Sequence, residues 1–222
     1  MGKEARLGSA YFVGVDLGQA RDPSAMGVVE RVELVGAWDQ VAWARRKEIG
    51  LRLRRLERLP LGMKYPEVED WVVRRMEGVA KHGECELAVD ATGVGRPVVD
   101  HLREAGLKCR IRAVMVTGGQ TERSEGGYDY VPKRDLMAGL QMLFEYGELK
   151  IAKRLQHVEA LRKEMADMRM RVTPAGNEQY GAWREGEHDD LVFAVALACW
   201  GAKKRYPWKP TGAAAYWMPG RR

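Results

Sequence analysis

Apolar positions fall along this 222-residue chain in two rhythms, short near-continuous runs and longer stripes at helical spacing. Ala10–Asp16 is an almost unbroken apolar run, which predicts a central strand buried on both faces. Turn chemistry follows at Gln19–Ser24, and Ala25–Val32 with Leu34–Trp43 then read as two strands tightly joined as a hairpin. The basic, leucine-rich Leu51–Leu59 fits either an extension of that hairpin or the start of a helix. Pro66–His82 predicts a helix. Pro66 lies in its first turn with Glu67, Glu69 and Asp70 at the positive end, Lys81 and His82 lie at the negative end, and Gly83 is the stop.

Glu86–Asp90 is a second buried strand, turning through Ala91–Gly95 into a helix over Pro97–Ala105 closed by Gly106. Cys109–Val116 is a third core strand, and strand–helix–strand alternation predicts a parallel pair with a right-handed crossover. Thr117–Tyr130 is polar and glycine-rich and reads as a mobile loop. Helices are predicted at Pro132–Tyr146, ended by Gly147, and at Ala152–Met168. Met170–Thr173 and Gln179–Trp183 flank the turn-like Pro174–Asn177 as a second hairpin. His188–Lys204 is a last helix, so apolar that it must pack on the sheet. From Tyr206 the proline, glycine and alanine content predicts a disordered basic tail. The expected architecture is one α/β domain over residues 1–205 and a tail over 206–222. Its central sheet is mixed, with an N-terminal antiparallel hairpin and helices on both faces.

Composition narrows the class. Apolar residues make up 45% and charged residues 31%, as in a globular protein of one domain. No apolar run approaches the roughly 20 residues that cross a bilayer, and the N-terminus lacks a signal-peptide core, so the expected location is the cytoplasm. Met1-Gly2 does not make a myristoylation signal, because Arg6 stands where serine or threonine is needed. Cys85, Cys109 and Cys199 have no paired spacing and border or sit in apolar segments, which makes them buried thiols. A net charge of +6 and a pI near 9.3 favour a polyanionic partner. Seven positive charges fall within Arg45–Arg58, and a second basic group runs from Lys203–Arg205 to Arg221–Arg222.

The candidate chemistry is carboxylate chemistry. Asp16 ends the first core strand, Asp90 ends the second, and Asp189-Asp190 opens the apolar last helix. Singly, each aspartate satisfies a turn or caps a helix. Jointly, strand-end carboxylates meet at one sheet edge, where open α/β folds place their ligands. Clustered carboxylates repel unless a cation neutralises them, which points to divalent metal and phosphodiester chemistry.

Gly14–Gly18, then a hairpin, then Ala88–Gly95, then His188–Leu191 before an alanine-rich helix resembles the ribonuclease H-like nuclease domain of phage terminase large subunits. Val131–Leu136 and Leu149–Ile151 add to the resemblance, which runs from about Tyr11 to Ala202. It implies a ribonuclease H-like fold and a metal-dependent endonuclease that cuts concatemeric phage DNA during genome packaging. Catalytic, metal-binding acids would be Asp16, Asp90 and the Asp189–Asp190 pair, with Asp190 the favoured direct ligand and Asp189 auxiliary. Two Mg²⁺ or Mn²⁺ ions roughly 4 Å apart would be held astride the scissile phosphate, bridged by Asp16. His188 and Lys133 become candidate phosphate contacts, and Arg45, Arg46, Lys47, Arg52, Arg54 and Arg55 a track for the double-stranded DNA backbone. The implied partners are a terminase ATPase domain, the small terminase subunit and the portal. No Gly-x-x-x-x-Gly-Lys-Ser/Thr phosphate loop is present, so the motor activity is not carried over.

Other readings share parts of the pattern. A Holliday-junction resolvase on the same fold would use the same acids and prefer branched DNA. A nucleotide-binding fold of the actin and sugar-kinase type would use Asp16–Gly18 and Asp90–Gly93 as phosphate turns. It needs two such domains and leaves Asp189-Asp190 without a role. A binding module that has lost catalysis would not need every acidic position to be kept.

Overall fold

The computed structural model describes residues 6–18, 22–93, 95–172, 178–181, 188–205 and 215–217. The chain runs β1 (Arg6–Asp16), β2 (Ala25–Asp39), β3 (Ala44–Arg58), α1 (Tyr65–Ala80), β4 (Cys85–Asp90), α2 (Gly95–Glu104) and β5 (Arg110–Thr117). It continues through β6 (Arg123–Glu125), β7 (Tyr128–Pro132), α3 (Lys133–Glu145), β8 (Leu149–Ile151) and α4 (Val158–Asp167). The last elements are β9 (Arg169–Val172), β10 (Glu178–Gly181), α5 (Asp190–Arg205) and β11 (Ala215–Trp217).

One nine-stranded mixed sheet carries the fold, in the order β11-β3-β2-β1-β4-β5-β7-β6 with β8 added in parallel to β3. β1 is central, antiparallel to β2 and parallel to β4, which in turn is parallel to β5. Strand alternation splits the core in two. Phe12, Val29, Leu53, Ala88 and Val114 face α3, α4 and α5. Val13, Val15, Met26, Leu87 and Val89 face α1 and α2. The α5 segment is apolar all round because it is covered on every side, with Leu191 to Cys199 at most 5% exposed. It lies directly on the backbone of β1, since a Cβ on Gly14 would stand 2.0 Å from the Ala194 carbonyl oxygen and 2.5 Å from the Ala198 nitrogen.

The N-terminal hairpin differs from its expected form. Ala25–Asp39 is one continuous strand, and its partner is the basic segment Ala44–Arg58. Val32-Glu33-Leu34 contains no turn former, so the strand passes straight through it. The chain reverses at Gln40–Trp43 instead, where one carboxylate oxygen of Asp39 accepts the amides of Val41 (2.9 Å) and Ala42 (3.1 Å). The expected mobile loop Thr117–Tyr130 also holds structure. β6 and β7 form a hairpin over Gly126-Gly127, both at positive φ (59° and 80°), and β7 continues the sheet beside β5. The expected helix from Ala152 starts only at Val158, after His157 at φ 61°. The second hairpin forms as β9 and β10. The tail expectation lies outside the described residues except for Ala215–Trp217, which pairs with Arg45–Lys47 of β3. Among the described residues, no helix is long and apolar enough to cross a membrane.

Candidate metal centre

Register brings the two strand-end aspartates together. Val15 of β1 is level with Val89 of β4, so the next residues, Asp16 and Asp90, leave the sheet side by side. Both continue the Phe12–Gly14 and Ala88 side of their strands, the side on which α5 packs. The Asp16 turn closes tightly, with the Gly18 amide donating to Ser24 Oγ at 3.0 Å. A Cβ on Gly18 would lie 2.0 Å from the Asp22 carbonyl oxygen, which is why glycine stands there. Asp90 spends one oxygen on its own turn, accepting the Thr92 amide at 2.8 Å, while Thr92 Oγ1 accepts the Val116 amide at 2.9 Å.

The third corner is the start of α5. The amides of Leu191 and Val192 donate to Oε2 of Glu164 on α4, at 3.0 and 3.1 Å. Glu164 therefore caps α5, which leaves the carboxylates of Asp189 and Asp190 for other partners. Asp189 accepts Lys133 Nζ at 3.0 Å, and Asp190 Oδ2 accepts Arg58 Nε at 2.5 Å. Arg58 also donates to the second oxygen of Glu164, so one buried glutamate holds both the helix start and the arginine that holds Asp190. His188 Nδ1 lies 3.7 Å from Asp190 Oδ1. Lys133, the first residue of α3, sits with Nζ 5.3 Å from the centre of the Phe193 ring.

Electrostatics describe one cluster. Desolvation pushes the Asp16 carboxyl well above the usual carboxylate range, and the charges of Asp90, Asp189 and Asp190 push the same way while Lys133 opposes them. Burial likewise raises Asp90 against Thr92 and Lys133, and raises Asp190 against Arg58 and His188. Asp190 is 2% exposed, and its Oδ1 has no hydrogen-bond partner among the described residues. A buried carboxylate oxygen without a donor, beside three more carboxylates, suits a divalent cation with oxygen ligands. Among the described residues, no three acidic, histidine or cysteine side chains close around a common point as they stand.

The sequence-derived candidates thus divide. Asp16, Asp90, Asp189, Asp190, Lys133 and His188 share one sheet edge. Six of the seven cationic residues of β3 lie elsewhere: Arg45, Arg46 and Lys47 near the hairpin tip, and Arg52, Arg54 and Arg55 along the strand. Arg46 pairs with Asp39, Arg54 with Glu30 and Arg55 with Glu57. Two residues of the centre were not assigned to it from sequence, where Arg58 counted only as part of the basic Arg45–Arg58 stretch. Arg58 follows Leu56 at strand spacing on the α5 side, and Glu164 follows Leu161 at helical spacing on the buried stripe of α4. A charged residue in phase with an apolar stripe is the signal that marks both.

The family model described as the terminase RNaseH-like domain matches residues 13–200. The large terminase nuclease of thermophilic phage G20c, with bound magnesium, superposes with a TM-score of 0.56 at 22% identity, covering 88% of this chain and 83% of that one. The nuclease domain of the large terminase subunit of bacterial virus Sf6 gives a TM-score of 0.54 at 15% identity over 89% of this chain and 90% of that one. A mutant Sf6 nuclease domain with manganese and beta-thujaplicinol gives 0.51 at 15% identity, over 86% of each chain. At these identities the structural likeness is one of fold. No curated protein matches the sequence. The match over residues 13–200 is nearly the whole chain, and the protein belongs to the terminase RNaseH-like domain family.

Proposed function

We propose that this chain is a metal-dependent endonuclease that hydrolyses phosphodiester bonds in double-stranded DNA, the nuclease of a phage genome-packaging terminase. The observation that carries the reading is the meeting of Asp16, Asp90, Asp189 and Asp190 at one sheet edge, with an orphaned buried oxygen on Asp190. Asp16, Asp90 and Asp190 would hold Mg²⁺ or Mn²⁺, with Asp189 auxiliary. When bound, such ions supply Lewis-acid chemistry, polarising the phosphate and making water nucleophilic at neutral pH.

The chain's own residues prepare the site. Lys133 favours the ionised forms of Asp16 and Asp90 and would offset the charge of a phosphate brought to them. Glu164 and Arg58 fix the direction of Asp190. His188, whose Nδ1 lies 3.7 Å from Asp190 Oδ1, would orient a water or contact the phosphate. The cations of β3 would give a salt-dependent, sequence-tolerant grip on the DNA backbone away from the cut, since Arg54 and Arg55 lie on the face of the sheet opposite the carboxylates. In the terminase setting, partners would be the ATPase domain, the small subunit and the portal.

The test is supercoiled plasmid incubated with the protein in Mn²⁺, Mg²⁺ or EDTA. Nicked and linear products in a metal, and none in EDTA, are expected. No cutting by folded protein in either metal overturns the proposal.

A further inference from the structure

On the opposite face of the sheet from the carboxylates lies a half-open cleft of about 370 Å³ between β3 and α1. Four arginines line it: Arg54 and Arg55 from the strand, Arg74 and Arg75 from the helix, with Tyr11 and His82 at its edge. Consecutive strand residues ordinarily point to opposite faces. Here they do not, because Val28 pairs with Arg55 and Val29 with Leu53, so that Arg54 is an extra residue in a bulge. The buried phase of β3 shifts accordingly, from Leu51 and Leu53 to Leu56, and both arginines come to the α1 side.

Acids behind the cleft hold three of the four guanidiniums. Glu30, fully buried, pairs with Arg54 at 2.9 Å and accepts the Tyr11 hydroxyl at 3.3 Å. Glu57 accepts Arg75 Nε at 2.8 Å, Trp71 Nε1 at 3.3 Å and Arg55. Arg74 has no carboxylate partner among the described residues. Four guanidiniums against two carboxylates leave a surplus of two positive charges within half-enclosed walls, which focuses the field on an anion. The helix wall is recessed at Gly78, where a Cβ would meet nothing within 4 Å. Glycine is a poor helix former, and no packing at this position requires it.

We propose that this cleft is a binding site for paired phosphates, a diphosphate or two successive phosphodiesters, held by guanidiniums that Glu30 and Glu57 have already oriented. The bidentate geometry of arginine suits phosphate oxygens, and Tyr11 and His82, with ring centres 6.1 Å apart, offer a face for a base. The site stands apart from the nuclease centre, and its binding is measurable without metal.

The test is calorimetric titration of pyrophosphate into the full chain in EDTA, for the wild type, Gly78→Ala and Gly78→Glu. Wild type and Gly78→Ala should bind alike, with affinity falling as salt rises. Gly78→Glu places a carboxylate among the guanidiniums and should weaken binding at least about tenfold with no loss of melting temperature, since a helix former replaces glycine. Displacement of pyrophosphate by duplex DNA would assign the site to a nucleic-acid backbone, and displacement by ADP alone to a free nucleotide. Wild type that binds no pyrophosphate, or folded Gly78→Glu that binds it as wild type does, overturns the proposal.

Discussion

Replacing Glu164 with alanine should damage stability and the proposed metal centre together, although the residue lies on a helix with no other candidate acid. The carboxylate takes two amides at the start of α5 and one guanidinium from β3. Two amides left without an acceptor in a buried setting, and Arg58 left with Asp190 alone of its two carboxylates, each cost on the order of 1–2 kcal/mol. These terms share a network and do not add fully, so a net loss of about 3 kcal/mol is expected. In a domain of this size that corresponds to a melting temperature lower by about 6–12 °C. Glu164→Gln keeps an acceptor for the amides but turns an amide donor toward Arg58, so its loss should be smaller. Calorimetric unfolding in EDTA measures both variants, and Mn²⁺ titration of the folded proteins should show weaker binding in each because Glu164 no longer fixes the Arg58 that holds Asp190. An alanine variant within about 0.5 kcal/mol of wild type, with unchanged Mn²⁺ affinity, would refute the reasoning, since a change that small is typical of an uninvolved surface site.

Two further outcomes follow from the packing and the charges. Gly14→Ala drives a methyl into the α5 backbone, and solubility with urea unfolding should show a loss of about 3 kcal/mol or failure to fold. In metal-free protein, burial and like charge raise the folded-state pKa of Asp16, so the unfolded chain releases that proton first. The stability from this group is present below about pH 4 and lost as pH rises toward the folded value, by up to about 1.4 kcal/mol per pH unit. Asp16→Asn should therefore be more stable than wild type at neutral pH in EDTA, with the difference vanishing in acid; urea midpoints across pH give the comparison.

The strands that carry Asp16 and Asp90 are legible from sequence because both are buried on two faces and read as apolar runs ending in an acid. The helix behind them is legible for the same reason. The hairpin turn was not, because its closure comes from the Asp39 side chain rather than from glycine or proline. Nor was the use of Thr117–Tyr130, where a two-glycine turn inside a polar stretch builds the outer strands. In the centre, the four aspartates could be placed because each sits at an element boundary. Arg58 and Glu164 sit inside elements, among charged neighbours, and only their phase against Leu56 and Leu161 distinguishes them from solvated residues.

That phase also explains why the aspartate pair at the start of α5 does not act as the cap its position suggests. Glu164 performs that task, and the released Asp190 points into the cluster beside Arg58 and His188. The cost of burying such a group is tolerated where a cation completes it.

The most direct test of the central claim is calorimetric titration of Mn²⁺ into wild type, Asp16→Asn and Asp90→Asn, each shown folded by circular dichroism. Wild type should bind Mn²⁺, and either substitution should weaken that binding by about tenfold or more, the loss of one charged ligand from a shared site. Folded variants that bind Mn²⁺ as tightly as wild type would contradict the assignment of these carboxylates as a metal centre.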